Sequence, residues 1–529
     1  MQFSVSMKRK KGSISPTRVS QRCNKAKGKV DEDEESHELC PYFANIPSHL
    51  TVQILLQLPI KSLLICKCVC KIWKTLISEP QFAKLHFEKT PVSFMIRTKD
   101  HRRVSRTLYL LECDPEKFEI GSDNRVKLQP IFKLPLRASR FFLDKNGESS
   151  NRGRQSLYTP SKQELDNKFN IVNSCNGLLC LSDLFTENPL VVCNPVTGEF
   201  IRLPKATTTP FRLKATERRM LQRQSALGFL AKTNEYKVIK MLIIYGFRFN
   251  DCKSVIVEIN TLGTSLWRNV EVDSQVSIPW LKYPTCVNDA LHWIGFEGGF
   301  EGRQMSILCF CLESERFQSF LSPPHVLGYH NNRTGNTNLT MGELKGFLYI
   351  CDSTFFSDVT MWVMNEYGNG ESWTKLYSID TLVSSLGHPD VSRYGLCLPV
   401  KHFEEGAAVL LYHSCNCFIY YEPDKYGFKV FQIHGSRSDF FEIIPHIASL
   451  IPLKDVVKGD DIEVLNFHSR CAKFKLREEN EALSLSQPND EDLESIGRSS
   501  SFHFDIINIS SSSSSSDGVG HESGEEHSS

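Results

Sequence analysis

The stretch LPIKSLLICKCVCKIWKTLI, Leu58 to Ile77, carries three cysteines at alternating positions, Cys66, Cys68 and Cys70. Placed on a helical wheel at about 100° per residue, Leu63 to Ile77 puts Lys67, Lys71 and Lys74 in one strip about 60° wide. Nearly all the rest of the circle is apolar: Leu64, Ile65, Val69, Ile72, Trp73, Leu76 and Ile77. On this wheel Cys66 and Cys70 share a side and Cys68 points away, so the three do not converge on one tetrahedral zinc. They read as small buried hydrophobes, because free cysteine is among the most buried residue types. A helix apolar over most of its circumference needs cover on nearly all sides, and a unit of about 45 residues is too small to supply it. The cover must come from the following domain, from another protein, or from both.

Upstream, Pro47 sits where proline opens a helix, and Leu50, Ile54 and Leu58 repeat every fourth residue. Pro59 breaks that helix and Ser62 is placed to cap the next, so within the helical piece 41–90 the stretch Asn45 to Phe87 is expected to form two or three short helices.

Beyond 91 the character changes to short β-rich runs separated by turns, among them GLLCLSD, PLVVCNPVTGEFIRLP, YKVIKMLIIYGF, SILCFCLESERFQSFL and CFIYYEPDKYGFKVFQI. Turns near Asn194, Asn260, Leu312, Asn365 and Glu422 are separated by 66, 52, 53 and 57 residues, and TLYLLECDPEKFEI, turning near Asp114, is an earlier copy. A repeat of roughly 50 residues with several strands per unit marks propeller blades, which close on one another and remove sheet edges. About six blades are expected across 91–455. Residues 1–40, with DEDEES at Asp31 to Ser36, and 456–529, with the serine run Ser510 to Ser516, read as disordered tails.

The 62 basic and 61 acidic residues nearly cancel, so the overall field predicts no nucleic-acid or membrane partner. There is no apolar run of about 18 residues to span a bilayer and no apolar stretch behind the N-terminal charges to make a secretory signal. Eighteen cysteines are then expected as thiols in a reducing compartment, which argues against a disulfide and for nucleus and/or cytoplasm. KRKK at Lys8 to Lys11 reads equally as a nuclear address or a basic tail.

The order of elements in IPSHLTVQILLQLPIKSLLICKCVCKIWKTLISEPQFAKLH resembles an F-box, the motif that docks on the Skp adaptor of a Skp–cullin–F-box (SCF) ubiquitin ligase. The resemblance implies docking or supporting roles for Pro47, Leu50, Ile54, Leu55, Leu58, Pro59, Leu63, Leu64, Val69 and Trp73. Two departures are visible. Ile46-Pro47 replaces the usual Leu-Pro, and Ser48-His49 stands where an acidic residue is usual. The second piece resembles the F-box-associated domain of plant F-box proteins, a kelch-like propeller, through SCNGLLCL (Ser174 to Leu181), CNPVTGEFIRLP (Cys193 to Pro204), TNEYKV (Thr233 to Val238), VNDALHWIG (Val287 to Gly295) and MWVMNEYGNGESWTKL (Met361 to Leu376). The expected fold is α+β multidomain, a small all-α F-box followed by an all-β propeller. The implied function is a non-catalytic SCF substrate adaptor contacting Skp, through it cullin, and an unidentified substrate protein. A scaffold acting outside a complete ligase is the alternative.

No cofactor, metal or catalytic residue is expected. His292 stands alone in an apolar strand, and Trp293, Trp362 and Trp373 read as blade core. CFC (Cys309 to Cys311) and CNC (Cys415 to Cys417) lack the gap of zinc knuckles, and GFEGGFEG (Gly295 to Gly302) lacks the lysine of a phosphate loop. HRRVSR (His101 to Arg106) and ERRMLQRQ (Glu217 to Gln224) read as solvated inter-strand loops, with acidic-partner binding as the sharper alternative. The substrate-binding surface is not located by the sequence.

Overall fold

In the computed structural model, the described residues are 46–99, 104–111, 126–134, 168–184, 187–205, 221–246, 252–273, 276, 278–297, 304–324, 326, 339–353, 358–380, 397–402, 408–413, 417–422, 427–435, 441–457, 462–469 and 483–486. KRKK, DEDEES, His101 to Arg103, Asp114, Glu217 to Met220, Gly298 to Gly302, Cys415 to Asn416 and the serine run lie outside them.

The helical module has four helices rather than two or three: α1 (Ser48–Leu55), α2 (Ile60–Cys66), α3 (Lys71–Ser78) and α4 (Pro80–Lys89). Pro47 opens α1, its carbonyl accepting the N–H groups of Leu50 and Thr51 at 3.0 and 3.1 Å. Pro59, fixed in an extended conformation (φ −57°, ψ 152°), is the residue from which α2 starts; Ser62, expected as its cap, sits inside the helix. The single helix drawn through Leu63 to Ile77 is broken at 67–70. Cys70 is extended (φ −152°, ψ 163°) and its sulfur accepts the Trp73 N–H at 3.4 Å, so it caps α3. Pro80 then occupies the first turn of α4, where its missing N–H costs nothing.

Six antiparallel sheets follow, one per blade. Blade two is Phe169–Cys175, Leu178–Asp183, Pro189–Cys193 and Glu199–Arg202. Blade three is Leu221–Leu230, Glu235–Tyr245, Cys252–Thr261 and Arg268–Val270. Blade four is Trp280–Val287, Ala290–Glu297, Gln304–Cys311 and Phe317–Leu321. Blade five is Leu339–Leu344, Phe347–Asp352, Asp358–Met364 and Trp373–Asp380, and blade six is Cys397–His402, Val409–His413, Cys417–Glu422 and Gly427–His434. The first strand of each lines the propeller axis.

Blade one closes the ring. Its outer strands, Ser93–Thr98, Thr107–Leu111 and Gln129–Lys133, come from the start of the propeller, and its inner strand, Phe441–His446, comes from the end. Ile96 lies between Ile443 on one side and Tyr109 on the other. Arg97, fully buried, ion-pairs with Glu442 and donates to the Phe169 carbonyl at 3.1 Å, while Lys99 Nζ reaches the same carboxylate at 2.7 Å. Burial pushes the Glu442 carboxyl up, but these two cations win and hold it below the usual carboxylate range. Among the described residues, apolar clusters weld neighbours together, from Val238, Ile201 and Trp267 between blades two and three to Phe418, Leu410 and Tyr109 between blades six and one. Such burial, at about 25 cal/mol per Å² of apolar area, is the main stabilising contribution.

Residues beyond 455, expected as a disordered tail, include two short strands in the sheets. Leu465–Asn466 pairs with Glu199 and Phe200 on blade two, and Ser484–Ser486 pairs with Gln432 to His434 on blade six. Phe467 stacks on Phe200 at 4.3 Å between ring centroids, so apolar burial draws this segment in. The solvated-loop reading of the basic clusters also fails where the residues are described. Arg106 is buried and donates to the Leu134 carbonyl at 3.1 Å. Leu221 to Gln224 begin a strand, where the buried Gln222 side chain donates to the Leu281 carbonyl and accepts from Tyr245.

Two motifs act in ring closure. In CNPVTGEFIRLP, Asn194 Oδ1 accepts the N–H groups of Val196 and Thr197, shaping the turn, while its Nδ2 donates to the Ser449 and Ile451 carbonyls at 3.0 and 3.1 Å. Glu199 takes the Leu453 N–H at 2.6 Å. In SCNGLLCL, Asn176 and Gly177 hold positive φ (42° and 83°), as a tight hairpin turn of this handedness requires. A side chain at Gly177 would collide with Ser449, 2.4 Å from its Cβ position.

Candidate partner-docking surface

The helical module keeps a small core. Leu55, Leu56, Ile60, Leu63, Ile77, Phe82, Ala83 and His86 are buried. The His86 ring stacks on Phe82, its Nε2–H donates to the Leu58 carbonyl at 3.1 Å, and its Nδ1 faces the Thr90 hydroxyl at 3.1 Å. Burial holds this imidazole below its ordinary pKa, against the Leu58 hydrogen bond, so it sits neutral with the proton on Nε2.

What the core leaves out is aliphatic. Ile65 is 68 % exposed, Val69 62 % and Ile72 49 %, three residues within one eight-residue span that runs from the last turn of α2 through the break into α3. Leu50, Ile54 and Leu85 are also exposed. A chain that gains about 1.5–3 kcal/mol by fully burying each such side chain, yet leaves several of them in water, presents a candidate interaction surface.

The ten residues named from the sequence therefore divide. Pro47, Leu50, Ile54, Pro59 and Val69 are exposed; Leu58, Leu64 and Trp73 are half-buried; Leu55 and Leu63 are core. Ile65, Ile72 and Leu85 belong to the exposed set and were not singled out. The signal that reveals Ile65 and Ile72 is the break at 67–70, which turns the wheel's buried circle into two short helices.

The cysteines that read as buried are not. Cys66 and Cys70 are half-buried and Cys68 is exposed, its thiol donating weakly to the Leu64 carbonyl at 3.6 Å. The break explains this: Cys68 lies in the turn itself and Cys70 is spent as a cap. Among the described residues no group of three or more His, Cys, Asp or Glu side chains could hold a metal ion.

In the propeller, His292 is fully buried, shares a hydrogen bond of 2.9 Å with the Tyr367 hydroxyl, and is held at about 4 by burial. Trp293 and Trp373 are blade core and Trp362 is half-buried. Trp373 Nε1 reaches back to the Leu321 carbonyl of the preceding blade at 3.0 Å, and Trp267 reaches back to Pro204 at 2.8 Å. The axial channel holds a cavity of about 740 Å³ that contains one serine–histidine contact, Ser174 Oγ to His446 Nδ1 at 2.9 Å. Burial drives His446 down to about 3, which makes it a poor base near neutral pH, and among the described residues its Nε2 has no partner to orient it. The contact is structural.

A four-helix module with uncovered aliphatics thus precedes, in the chain, a six-bladed propeller closed by the strand Phe441–His446. Two family models match in that order: an F-box domain over residues 43–85 and an F-box associated beta propeller domain over residues 124–453. The second covers more than half of the chain, which therefore belongs to the F-box associated β-propeller family. Similar proteins of Arabidopsis thaliana include the F-box protein At3g07870, 25 % identical across 80 % of this chain and 96 % of that protein. The F-box/kelch-repeat protein At3g23880 is 24 % identical across 66 % of this chain and 83 % of its own length, and the F-box protein DOR 24 % identical across 63 % and 74 %. The pairing of domains supports an SCF-type adaptor role in general.

Proposed function

We propose that this chain is the substrate-recognition adaptor of a Skp–cullin–F-box ubiquitin ligase. The helical module docks on the Skp adaptor, the propeller holds a target protein, and a separate enzyme supplies ubiquitin. The chain itself is non-catalytic and contributes proximity, raising the effective concentration of target lysines beside the transferring enzyme. The observation that carries this reading is the run of exposed aliphatics at Ile65, Val69 and Ile72, which a partner's apolar groove would cover. The break between α2 and α3 supports it, since two short helices meeting at a corner present these side chains outward.

The test is co-purification of the full chain with the Skp adaptor and cullin, joined to target turnover in cells under proteasome inhibition. Skp binding without cullin would mark a scaffold outside a complete ligase. Absence of Skp binding would overturn the docking model.

A further inference from the structure

The axial cavity is walled by all six innermost strands, with Ile171, Phe229, Met341, Leu398 and Ile444 among its apolar side chains. Two thiols from different blades line it. Cys175 ends the inner strand of blade two, and Cys286 is the penultimate residue of the inner strand of blade four. Cys286 packs against the buried apolar cluster that contains Cys175, and Cα atoms of the two strands approach within 8 Å. Their surroundings differ. Cys175 is buried, whereas Cys286 is half-buried and open to the cavity. The Cys286 sulfur also accepts the Phe229 N–H at 3.4 Å.

We propose that Cys286 and Cys175 form a modification site, a dithiol that a small hydroperoxide entering the channel oxidises to a disulfide joining blades two and four. The chemistry assigns the roles. Donation from Cys175 and from the Phe229 N–H lowers the Cys286 thiol against burial and the Asp289 and Glu343 carboxylates, while the same contact and burial push Cys175 up. Cys286 is thus the attacking sulfur and Cys175 the resolving one. In the first step the Cys286 thiolate attacks the outer peroxide oxygen; an S–O bond forms, the O–O bond breaks, and the leaving alkoxide takes a proton to become an alcohol (water, from hydrogen peroxide). In the second, the Cys175 sulfur attacks the sulfenic acid; the S–S bond forms, the S–O bond breaks, and the departing hydroxide combines with the Cys175 proton as water. Two thiols and one hydroperoxide give one disulfide, one alcohol and one water. In a reducing compartment such a bond is transient, as sensing disulfides are.

The inference does not depend on the adaptor reading. Its test uses the full chain treated with limiting hydrogen peroxide, blocked with N-ethylmaleimide in denaturant and digested without reductant. The expected product is a cross-linked peptide pair holding Cys175 and Cys286, two hydrogen masses lighter than the separate peptides. It should form at least about tenfold faster than thiol is lost at Cys180 or Cys193, which are fully buried and do not line this cavity. Cys175→Ser should stop the reaction at a sulfenic acid on Cys286 that dimedone traps, and Cys286→Ser should leave Cys175 unoxidised. Because either variant risks misfolding, the wild-type alkylation rate serves as a second measurement, with Cys286 expected to react at least about tenfold faster than Cys180. Full alkylation of both residues after peroxide treatment, or a Cys286 rate no greater than that of Cys180, overturns the proposal.

Discussion

Replacing Ile65, Val69 and Ile72 together with alanine separates docking from folding. Each side chain is largely in water in the free chain, at 68, 62 and 49 % exposure, so its removal takes little from the folded state. Surface substitutions of this kind stay within about 0.5 kcal/mol each. In a complex the same atoms would be covered. Complete burial of an aliphatic side chain is worth about 1.5–3 kcal/mol, and scaling by the fraction still exposed, with Cβ retained, leaves about 1 kcal/mol per residue. Three such losses, about 3 kcal/mol together, weaken binding about a hundredfold, since 1.4 kcal/mol is tenfold. Isothermal titration of the purified chain with the Skp adaptor reads the affinity, and a thermal melt of the same sample reads the fold. The contrast is Leu63→Ala. Leu63 is fully buried in the module's own core, so this change should cost about 2–5 kcal/mol of stability and impair binding through unfolding. A triple variant that binds within threefold of wild type, with an unchanged melt, would refute the assignment of this corner to docking.

Three further outcomes follow from the propeller. Glu442→Gln leaves the buried Arg97 without its counter-charge at the ring-closing strand and should lower stability by about 3 kcal/mol, read by chemical denaturation. Gly177→Ala should destabilise more than Gly346→Ala: both need positive φ (83° and 85°), which costs about 1–2 kcal/mol, but only at Gly177 does Ser449 stand 2.4 Å from the new methyl group, so equal melts would contradict the role of that turn in closure. The buried imidazoles of His292 and His413, held at about 4, and of His446, held at about 3, lie below their unfolded value near 6.5. The unfolded chain therefore binds more protons between these limits, so the stability they confer is complete above about pH 6.5 and is lost as pH falls, by about 3 kcal/mol for His292 at pH 4. His446→Gln, which removes one titrating ring, should flatten the fall in melting temperature between pH 6.5 and 4.5.

The propeller was legible because its signals are local. A strand of five to eight residues, a polar turn and an aromatic return recur about every 50 residues, and each can be recognised without knowing its neighbours. The closing strand carried no such mark: Phe441–His446 pairs with Ser93–Thr98 across most of the chain, and two- and three-residue segments such as Leu465–Asn466 are too short for any alternation to show. In the helical module, the apolar content of Leu58 to Ile77 was read correctly and its geometry was not. Leu63 to Ile77 contains neither glycine nor proline, so nothing in it forbids one continuous helix, and the break rests on Cys70 offering its sulfur to a backbone N–H. That one choice decides which aliphatics face water. It moves Cys68 from the expected core to the surface, leaves Leu63 inside, and brings Ile65, Val69 and Ile72 out within eight residues. Periodicity shows that a segment must be covered; the turn shows where the chain's own cover ends, and at that edge a partner would have to begin.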